Sequence, residues 1–363
     1  MFDALFTTTT EYKKLSHALS GKGACALFGL PASGRAQVYA ALCRQLDKPL
    51  CIVTPGEAEA TRFAADLNTL GIPAAVFPAR DYVLRSIEGT AREYEYRRLA
   101  VLGELVGGRL RAVAVPAEAL TQFTTPKEDF CANTRTLHAG DTLLRDDLLA
   151  ALFGAGYTRR AQVDGPGQFS VRGDIVDIFA PDQKMPVRME FWGDEIDTLH
   201  TFDLTTQRRE DAIDKFYLSP AREVLFGKPA DAAEQLRAFL AKQRGKKKTA
   251  MADCMAADLD LLDGGAVPVN MDKYLAVRYP HPATVLDYFD DPILVAEEPA
   301  SIREADRATA YRRGEELKSL ILDGVLCAGL DNLYADPSYL WSKTGHYRTI
   351  CAENFARSMP DQP

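Results

Sequence analysis

Four short apolar runs, separated by stretches with helical spacing, constrain the fold of this chain more than any other feature. The runs lie at residues 24–28, 50–54, 74–77 and 110–116. Between them the apolar residues recur with helical spacing, at residues 35–46, 57–70 and 91–105. Short buried strands that alternate with helices of this length form βαβ units. The first part of the chain is therefore predicted to be an α/β domain built on a parallel sheet.

The pattern changes near Pro126. A helical stretch at residues 145–155 is followed by residues 168–179 and 187–192, where apolar and polar residues alternate. Alternation with a period of two is typical of a half-exposed antiparallel sheet. Helical patterns then resume, with a strand-like run at residues 292–296. The predicted fold class is therefore α/β, with an antiparallel-sheet α+β domain in the middle and a second α/β segment that packs back on the first.

These changes of pattern also set the predicted domain limits. Residues 1–122 form the first α/β domain, residues 123–218 the middle domain and residues 219–351 the second α/β domain. Residues 352–363 are predicted to be a linker to further domains. A chain of 363 residues has room for two or three domains of roughly 100–200 residues each.

Composition argues against several functional classes. The formal net charge of −8 argues against a nucleic-acid-binding surface that covers the whole chain. The seven cysteines include no C-x-x-C pair and the five histidines are scattered, so neither a disulfide framework nor a zinc site is predicted. No signal-peptide pattern opens the chain, and its apolar runs fall far short of the ~20 residues of a membrane span. We expect a cytoplasmic protein without a membrane partner.

A broken phosphate loop follows the first predicted strand. Residues 29–36 keep the spacing G-x-x-x-x-G-K-[ST] through Gly29 and Gly34, between a strand and a helix. Arg35 stands where a lysine should reach the terminal phosphates, and Ala36 stands where a hydroxyl should hold Mg²⁺. Arginine keeps the charge in a different shape, whereas alanine binds no metal. The loop is interpreted as vestigial, with backbone amides that still suit an anion.

Hydrolysis at this loop would also need an acidic partner motif. The candidate in the sequence is the pair Asp194 and Glu195, which follows an apolar-looking run. That pair lies in the alternating region, whereas a hydrolytic pair belongs at the end of a parallel strand beside the phosphate loop. It is therefore predicted to be a turn, and the chain is predicted to have no catalytic residues and no metal site.

Two arginines and a tryptophan are predicted to share one face of the alternating region. Parity puts Arg188 and Trp192 on one side of their strand, and Arg172 joins them if the hairpin register buries both apolar sets. Those sets are Phe169, Val171 and Ile175 in the first stretch, and Val187, Met189 and Phe191 in the second. Exposed arginine and tryptophan on a rigid sheet suit a hot spot for a protein partner.

A structural interpretation of the same residues stays open. In it, Asp174 neutralises Arg172, Glu190 neutralises Arg188, and a neighbouring domain covers Trp192. A second candidate is the basic run Lys246–Lys248, which suits contact with DNA phosphates but is equally typical of a solvated helix end.

Three segments carry a family resemblance. Residues 169–179, 187–197 and 202–208 read FSVRGDIVDIF, VRMEFWGDEID and FDLTTQR. They closely resemble the second domain shared by UvrB and the transcription-repair coupling factors, the Mfd family. The resemblance extends more loosely over the whole chain, as the UvrB-like module that opens those coupling factors. UvrB itself keeps an intact phosphate loop and inserts a long tyrosine-rich hairpin, for which there is no room here between Tyr82 and the helix near Ala91.

The resemblance implies a function. Coupling factors recognise RNA polymerase stalled at a DNA lesion, displace it with a C-terminal translocase motor, and recruit UvrA to begin nucleotide excision repair. The UvrB-like module supplies the UvrA-binding surface. Its contact residues fall on Arg172, Arg188 and Trp192, the last of which is more often phenylalanine in the family. The C-terminal end of the resting protein is thought to mask this face.

The chain is accordingly expected to be a non-catalytic docking module without a cofactor of its own. ATP and Mg²⁺ would serve the motor, and further domains would bind RNA polymerase and double-stranded DNA. The alternative, from the enzyme class, is a UvrB-like ATP-dependent DNA helicase subunit. Arg35, Ala36 and the missing hairpin disfavour it.

Overall fold

A computed structural model describes residues 6–86 and 92–354. In its first part four strands alternate with helices, as the apolar runs predict. The strands are β1 (Gly23–Phe28), β2 (Leu50–Thr54), β3 (Ala74–Val76) and β4 (Ala112–Pro116). The helices are α1 (Thr10–Ala18), α2 (Ala32–Leu46), α3 (Glu57–Thr69), α4 (Glu93–Val106), α5 (Ala117–Leu120) and α6 (Lys127–Ala132). Strands β2 and β4 are buried along their whole length, as helices on both faces of a parallel sheet require.

The middle of the chain folds around a second sheet. Its strands are β5 (Arg135–His138), β6 (Thr158–Arg159), β7 (Gln168–Arg172), β8 (Ile175–Phe179), β9 (Val187–Trp192), β10 (Glu195–Phe202), β11 (Arg209–Ala212) and β12 (Lys215–Leu218). Six of them form a sheet in the order β11-β10-β9-β8-β7-β6, antiparallel apart from the pair β6–β7, while β12 pairs with β5. Helix α7 (Arg145–Gly154) packs Leu148 and Leu152 against the apolar face of the larger sheet. The predicted antiparallel middle sheet is confirmed.

The last part of the chain returns to the first sheet. Its helices are α8 (Pro229–Ala241), α9 (Gly245–Asp263), α10 (Leu275–Arg278), α11 (Pro299–Leu322) and α12 (Tyr339–Lys343), with two 3-10 turns at Met271–Tyr274 and Val285–Tyr288. Its strands are β13 (Ile293–Glu297) and β14 (Arg348–Glu353). Both strands enter the first sheet, whose order is β1-β14-β13-β2-β4-β3 with every neighbouring pair parallel. The second α/β segment thus packs back on the first, as predicted, by completing its sheet.

The parallel sheet determines where a phosphate loop can act. Helices α2 and α3 cover one face of the sheet around Tyr39 and Phe63, whose ring centroids lie 6.1 Å apart. Helices α4 and α11 contribute Leu99 and Ile302 to the core on the other face. Because the strands are parallel, their carboxyl ends share one edge, where ligands bind in open α/β sheets. The segment after β1 lies at that edge, beside the segments that follow β13 and β14.

A buried ionic network joins the first α/β part of the chain to the part that follows the middle sheet. Glu223, between β12 and α8, accepts bonds from Arg98 on α4 through Nε at 2.6 Å and Nη2 at 3.2 Å. Arg80, after β3, forms an ion pair with Glu223 at 3.2 Å and binds Asp272 through two nitrogens, at 2.6 and 3.1 Å. All four side chains are buried. Pairing of this kind compensates buried charges for the hydration that they lose.

Two sequence expectations need adjustment at the ends of elements. Strand β14 runs to Glu353, so residues 352 and 353 belong to a strand and not to the predicted linker. Asn354 follows the strand, and the remaining linker residues, 355–363, lie outside the described residues, as does Ala91. The helix expected near residue 91 begins at Glu93. The domain limits drawn at residues 122 and 218 stay predictions.

Candidate functional site

The face that carries Arg172 begins with a tight hairpin. Strands β7 and β8 are separated by two residues, Gly173 and Asp174, and Gly173 has a φ of +61°. Glycine in the left-handed region at the first position of a two-residue loop is typical of a type II′ turn. The stretch at residues 168–179, treated from its sequence as one alternating strand, is therefore two strands.

The turn changes which residues share a face. Arg172 pairs directly with Ile175, so these two side chains lie on the same side of the sheet. The prediction that Ile175 belongs to the apolar set with Phe169 and Val171 was wrong, because the two turn residues shift the parity. The apolar positions of β8 are Val176 and Ile178, which lie opposite Val171 and Phe169 respectively.

A single buried carboxylate organises the polar face. Asp177 on β8 lies between Ser170 on β7 and Arg188 on β9. Its Oδ1 accepts a bond from Arg188 Nε at 2.7 Å, and its Oδ2 accepts bonds from Arg188 Nη2 at 3.0 Å and Arg172 Nη2 at 2.5 Å. Asp177 is fully buried. The bond to Asp177 raises the pKa of Arg188 above its ordinary value, so the guanidinium stays charged at any working pH.

The three predicted contact residues differ in exposure. The side chain of Trp192 is 82% exposed, that of Arg172 is 47% exposed and that of Arg188 only 12%. Arg188 lies over the ring of Phe202 at 4.7 Å and donates from Nη1 to the carbonyl oxygen of Gln207 at 3.1 Å. The structure thus brings all three residues to one face, but the expectation of a uniformly exposed patch was wrong. Arg188 is covered by the segment that joins β10 to β11.

The ion pairs of the structural interpretation are not those found. Asp174 lies near Arg145, with the carboxylate 3.5 Å from Nη1, and Glu190 forms its ion pair with Arg209. Both arginines of the face use Asp177 instead. Trp192 is not covered by a neighbouring element among the described residues. It comes at the end of β9, before the Gly193 turn that begins the return into β10.

The segment that resembles a phosphate loop, residues 29–36, lies between β1 and the first turns of α2. Gly29 has a φ of +81°, which glycine tolerates, and α2 begins three residues later at Ala32. Ala36 is fully buried and presents only a methyl group. Arg35 is 2% exposed and does not point to solvent. It donates from Nη1 to the carbonyl oxygen of Leu30 at 3.2 Å, back across the loop.

An acidic pair, Glu297 and Glu298, lies beside this loop. They come at the carboxyl end of β13 and directly after it. Arg35 Nη2 lies 2.8 Å from Glu297 Oε2, and Arg35 Nη1 lies 3.2 Å from Glu298 Oε1. Tyr39 donates its hydroxyl to Glu297 Oε1 at 2.5 Å. The two carboxylates thus hold the arginine inside the loop.

The acidic pair beside the phosphate-loop segment is not Asp194 and Glu195. Asp194 does lie in a turn, between Trp192 and the first residue of β10, Glu195. The pair that stands at the end of a parallel strand beside the phosphate loop is Glu297 and Glu298. Its signal was present in the sequence, as an apolar run followed directly by two glutamates. That signal does not identify the pair by itself, because nothing local in the sequence says which strand enters the first sheet.

Burial dominates the charge state of this cluster. It raises the pKa of Glu297 to about 7, although the bond from Tyr39 and the charge of Arg35 act in the opposite direction. The same burial, together with Glu297, raises the pKa of Tyr39 well above its ordinary value. Asn354 also meets the cluster, accepting from Arg35 Nη1 at 3.0 Å and donating its backbone N–H to Glu298 at 3.0 Å. The cluster thus joins the segment after β1 to those after β13 and β14 through protein side chains.

The remaining candidates lie apart from both sites. The basic run Lys246–Lys248 forms the first turn of α9, exposed, and whether it meets DNA stays open. Within residues 6–86 and 92–354, no group of three or more His, Cys, Asp or Glu side chains is arranged to hold a metal ion. No helix in these ranges is long and apolar enough to cross a bilayer.

Comparison with known proteins relates these sites to a family. Residues 136–224 match the family model of the UvrB interaction domain. The chain is 27% identical to a transcription-repair-coupling factor of Bacillus subtilis (strain 168), over 82% of this chain and 26% of that protein. It is 25% identical to the transcription-repair-coupling factor of Staphylococcus aureus (strain MRSA252), also over 82% of this chain and 26% of that protein. It is 35% identical to the transcription-repair-coupling factor of Myxococcus xanthus, over 54% of this chain and 17% of that protein.

The resemblance to the transcription-repair coupling factors is confirmed. The chain spans about a quarter of the length of the Bacillus and Staphylococcus relatives it matches. The segment that matches the UvrB interaction domain contains β6 to β12 and with them the whole polar face, including Arg172, Arg188 and Trp192. The phosphate-loop segment and Glu297 lie outside that match.

Proposed function

We propose that this chain is the non-catalytic UvrA-docking module of a transcription-repair coupling factor. The docking face is the polar side of the middle sheet around Arg172, Asp177, Arg188 and Trp192. The observation that carries the proposal is Trp192, a large aromatic residue left 82% exposed on the same face as two arginines held by one buried carboxylate. Its place inside a segment that matches the UvrB interaction domain points to UvrA as the partner.

The physical chemistry of the face suits a protein partner. Tryptophan and arginine are the residues that most often carry binding energy, because one buries a large area and the other offers a planar fork for a carboxylate. Trp192 comes four positions after Arg188 on β9, a span of about 13 Å at about 3.3 Å per residue. The face therefore offers separate points of contact on a rigid sheet, and a partner that fits them must match their spacing.

The wider role belongs to the whole coupling factor. In our proposal, docking of UvrA here brings the excision machinery to RNA polymerase stalled at a lesion. RNA polymerase, double-stranded DNA, ATP and Mg²⁺ are bound by other regions of the protein. Contact between the face and the C-terminal end of the same protein masks it at rest.

Binding of UvrA tests the docking role. Titration of UvrA against Trp192→Ala should show a loss of about 1–4 kcal/mol in binding free energy, because a hot-spot aromatic loses its buried area. Tyr311→Ala is the matched control, since Tyr311 on α11 is 74% exposed but lies on a different element. Both variants should melt at the temperature of the native chain. Unchanged affinity for Trp192→Ala and Arg172→Ala would rule the assignment out, and a large drop in melting temperature would make the face structural.

Nucleotide turnover tests the non-catalytic half of the proposal. Ala36 supplies no hydroxyl for Mg²⁺, and Arg35 is paired with the acidic residues that a metal–nucleotide complex would need. The purified chain should release no phosphate from ATP above the rate of a protein-free sample. Mg²⁺-dependent release that disappears in both Arg35→Ala and Glu297→Gln would instead support the UvrB-like enzyme.

A further inference from the structure

The two arginines of the docking face do not play the same role. All three guanidinium nitrogens of Arg188 are engaged inside the protein: Nε and Nη2 on Asp177, and Nη1 on the carbonyl oxygen of Gln207. Its side chain is 12% exposed and packs over Phe202. Arg188 thus has no free fork for a partner, and its effect on binding must pass through the groups it holds.

Arg172 has the opposite arrangement. Only its Nη2 is bonded, to Asp177 Oδ2 at 2.5 Å, and its side chain is 47% exposed. No acceptor in the described part of the chain bonds its Nε or Nη1. A partner carboxylate can therefore approach the outer edge of this guanidinium while the inner edge stays fixed. Arg172 is therefore the arginine of this face whose guanidinium a partner can reach directly.

We propose that Asp177 is the positioning residue of the docking face, setting the orientation of Arg172 and Arg188 although it never touches the partner. The proposal rests on the proposed function. Asp177 lies on the central strand β8 and is fully buried, so UvrA cannot reach it. Both arginines bond its Oδ2, which brings two like charges together at one carboxylate. Without that carboxylate the guanidinium groups repel each other, and the long, exposed side chain of Arg172 loses its fixed geometry.

A double-mutant cycle with UvrA tests the proposal. Asp177→Asn keeps the shape and removes the charge, and it should weaken UvrA binding about tenfold or more. Arg172→Ala should cost about tenfold in the native background but less than about threefold in the Asp177→Asn background, because the side chain is already misplaced there. Independent, additive effects would overturn the proposal, since general loosening of the fold leaves the contribution of Arg172 intact in the folded molecules.

The matched control is Ser170→Ala. Ser170 is buried directly opposite Asp177 on β7, and neither arginine bonds it, so this variant should bind UvrA with native affinity. Should Asp177→Asn fail to fold, Asp177→Glu retains the charge but displaces the carboxylate by one methylene, and it should also suppress the effect of Arg172→Ala. Native affinity in whichever of the two variants folds overturns the positioning role. If Trp192→Ala and Arg172→Ala still lose affinity for UvrA in that case, the docking function holds and only the positioning role of Asp177 is wrong. If neither of those two variants loses affinity, the docking function itself is wrong.

Discussion

The buried side chain of Glu297 contacts the segment that resembles a phosphate loop. Glu297 is 1% exposed and faces Arg35 and Tyr39 where a phosphate loop would face a nucleotide. Arg35 takes the place of the usual lysine but is turned inward, so the loop is closed by an ion pair within the protein. In the non-catalytic role that we propose, the missing hydroxyl at Ala36 and this ion pair are two separate obstacles to metal-dependent nucleotide binding.

The pKa of Glu297 predicts how stability depends on pH. It is about 7 in the folded chain against an ordinary value of 4.5, so the folded state favours the neutral acid. The stability that this provides is complete below pH 4.5 and is lost as the pH rises towards 7. Between pH 4.5 and 8 the free energy of unfolding of the native chain should fall by on the order of 3 kcal/mol because of this group. The Glu297→Gln variant, which has no carboxyl at this position, should not show that fall. Urea unfolding of both proteins across this range measures the difference, and identical pH profiles would contradict the prediction.

At the scale of elements, the same amino acid has opposite effects in a turn and in a helix. Gly173 joins β7 to β8 with a φ of +61°, where a side chain is strained even though nothing lies within 4 Å of an added Cβ. Gly314 lies inside the 24-residue helix α11, again with open space around it, and its φ is not in the left-handed region. In a helix interior, glycine costs conformational entropy relative to alanine.

The two glycines therefore predict opposite outcomes for one substitution. Gly173→Ala should lower the free energy of unfolding by about 1–2 kcal/mol, because an L residue resists the left-handed conformation. Gly314→Ala should raise it by about 0.5–1 kcal/mol. Urea unfolding of each variant gives the sign. A stabilising Gly173→Ala would mean that the hairpin does not have the turn described, and the parity of Ile175 would then have to be revised.

At the scale of the whole molecule, the chain depends on a buried junction. Arg98 and Arg80 reach Glu223 from the first α/β part, while Asp272 in the last part binds Arg80. Arg98 also lies 4.1 Å from the centroid of the Phe77 ring. Arg80 thus links two carboxylates, Glu223 in the segment that follows the middle sheet and Asp272 further along the chain, to the first α/β part.

Breaking that junction should destabilise the chain strongly. Glu223→Gln leaves two buried guanidinium groups with one carboxylate fewer, at a cost of about 3–5 kcal/mol. Glu315→Gln is the control, because its partner Lys318 is exposed and the pair lies on the surface of α11, where the cost should stay below about 1 kcal/mol. Melting temperatures of the two variants compare them directly. Similar melting temperatures would mean that the junction contributes little.

The sequence by itself determined the local elements and the faces they present. The short apolar runs at β2 and β4 predicted buried parallel strands, and the alternation with a period of two predicted a half-exposed sheet. Both patterns are local because they reflect which side chains are buried. The departure from the phosphate-loop pattern is also visible locally, since it lies at two adjacent positions, Arg35 and Ala36, where the pattern requires a lysine and a hydroxyl residue. Such features need no knowledge of where distant parts of the chain lie.

Only the tertiary structure decided which distant residues meet. Arg35 and Glu297 come together because β13 and β14 enter the sheet beside β1, and no periodicity encodes that order of strands. Asp177 holds both arginines because the Gly173 turn fixes the register of β7 on β8, and a turn of two residues was enough to change the parity of Ile175. Local patterns record burial one residue at a time. Ion pairs between separate strands depend on strand order and register, which are set by the packing of the whole chain.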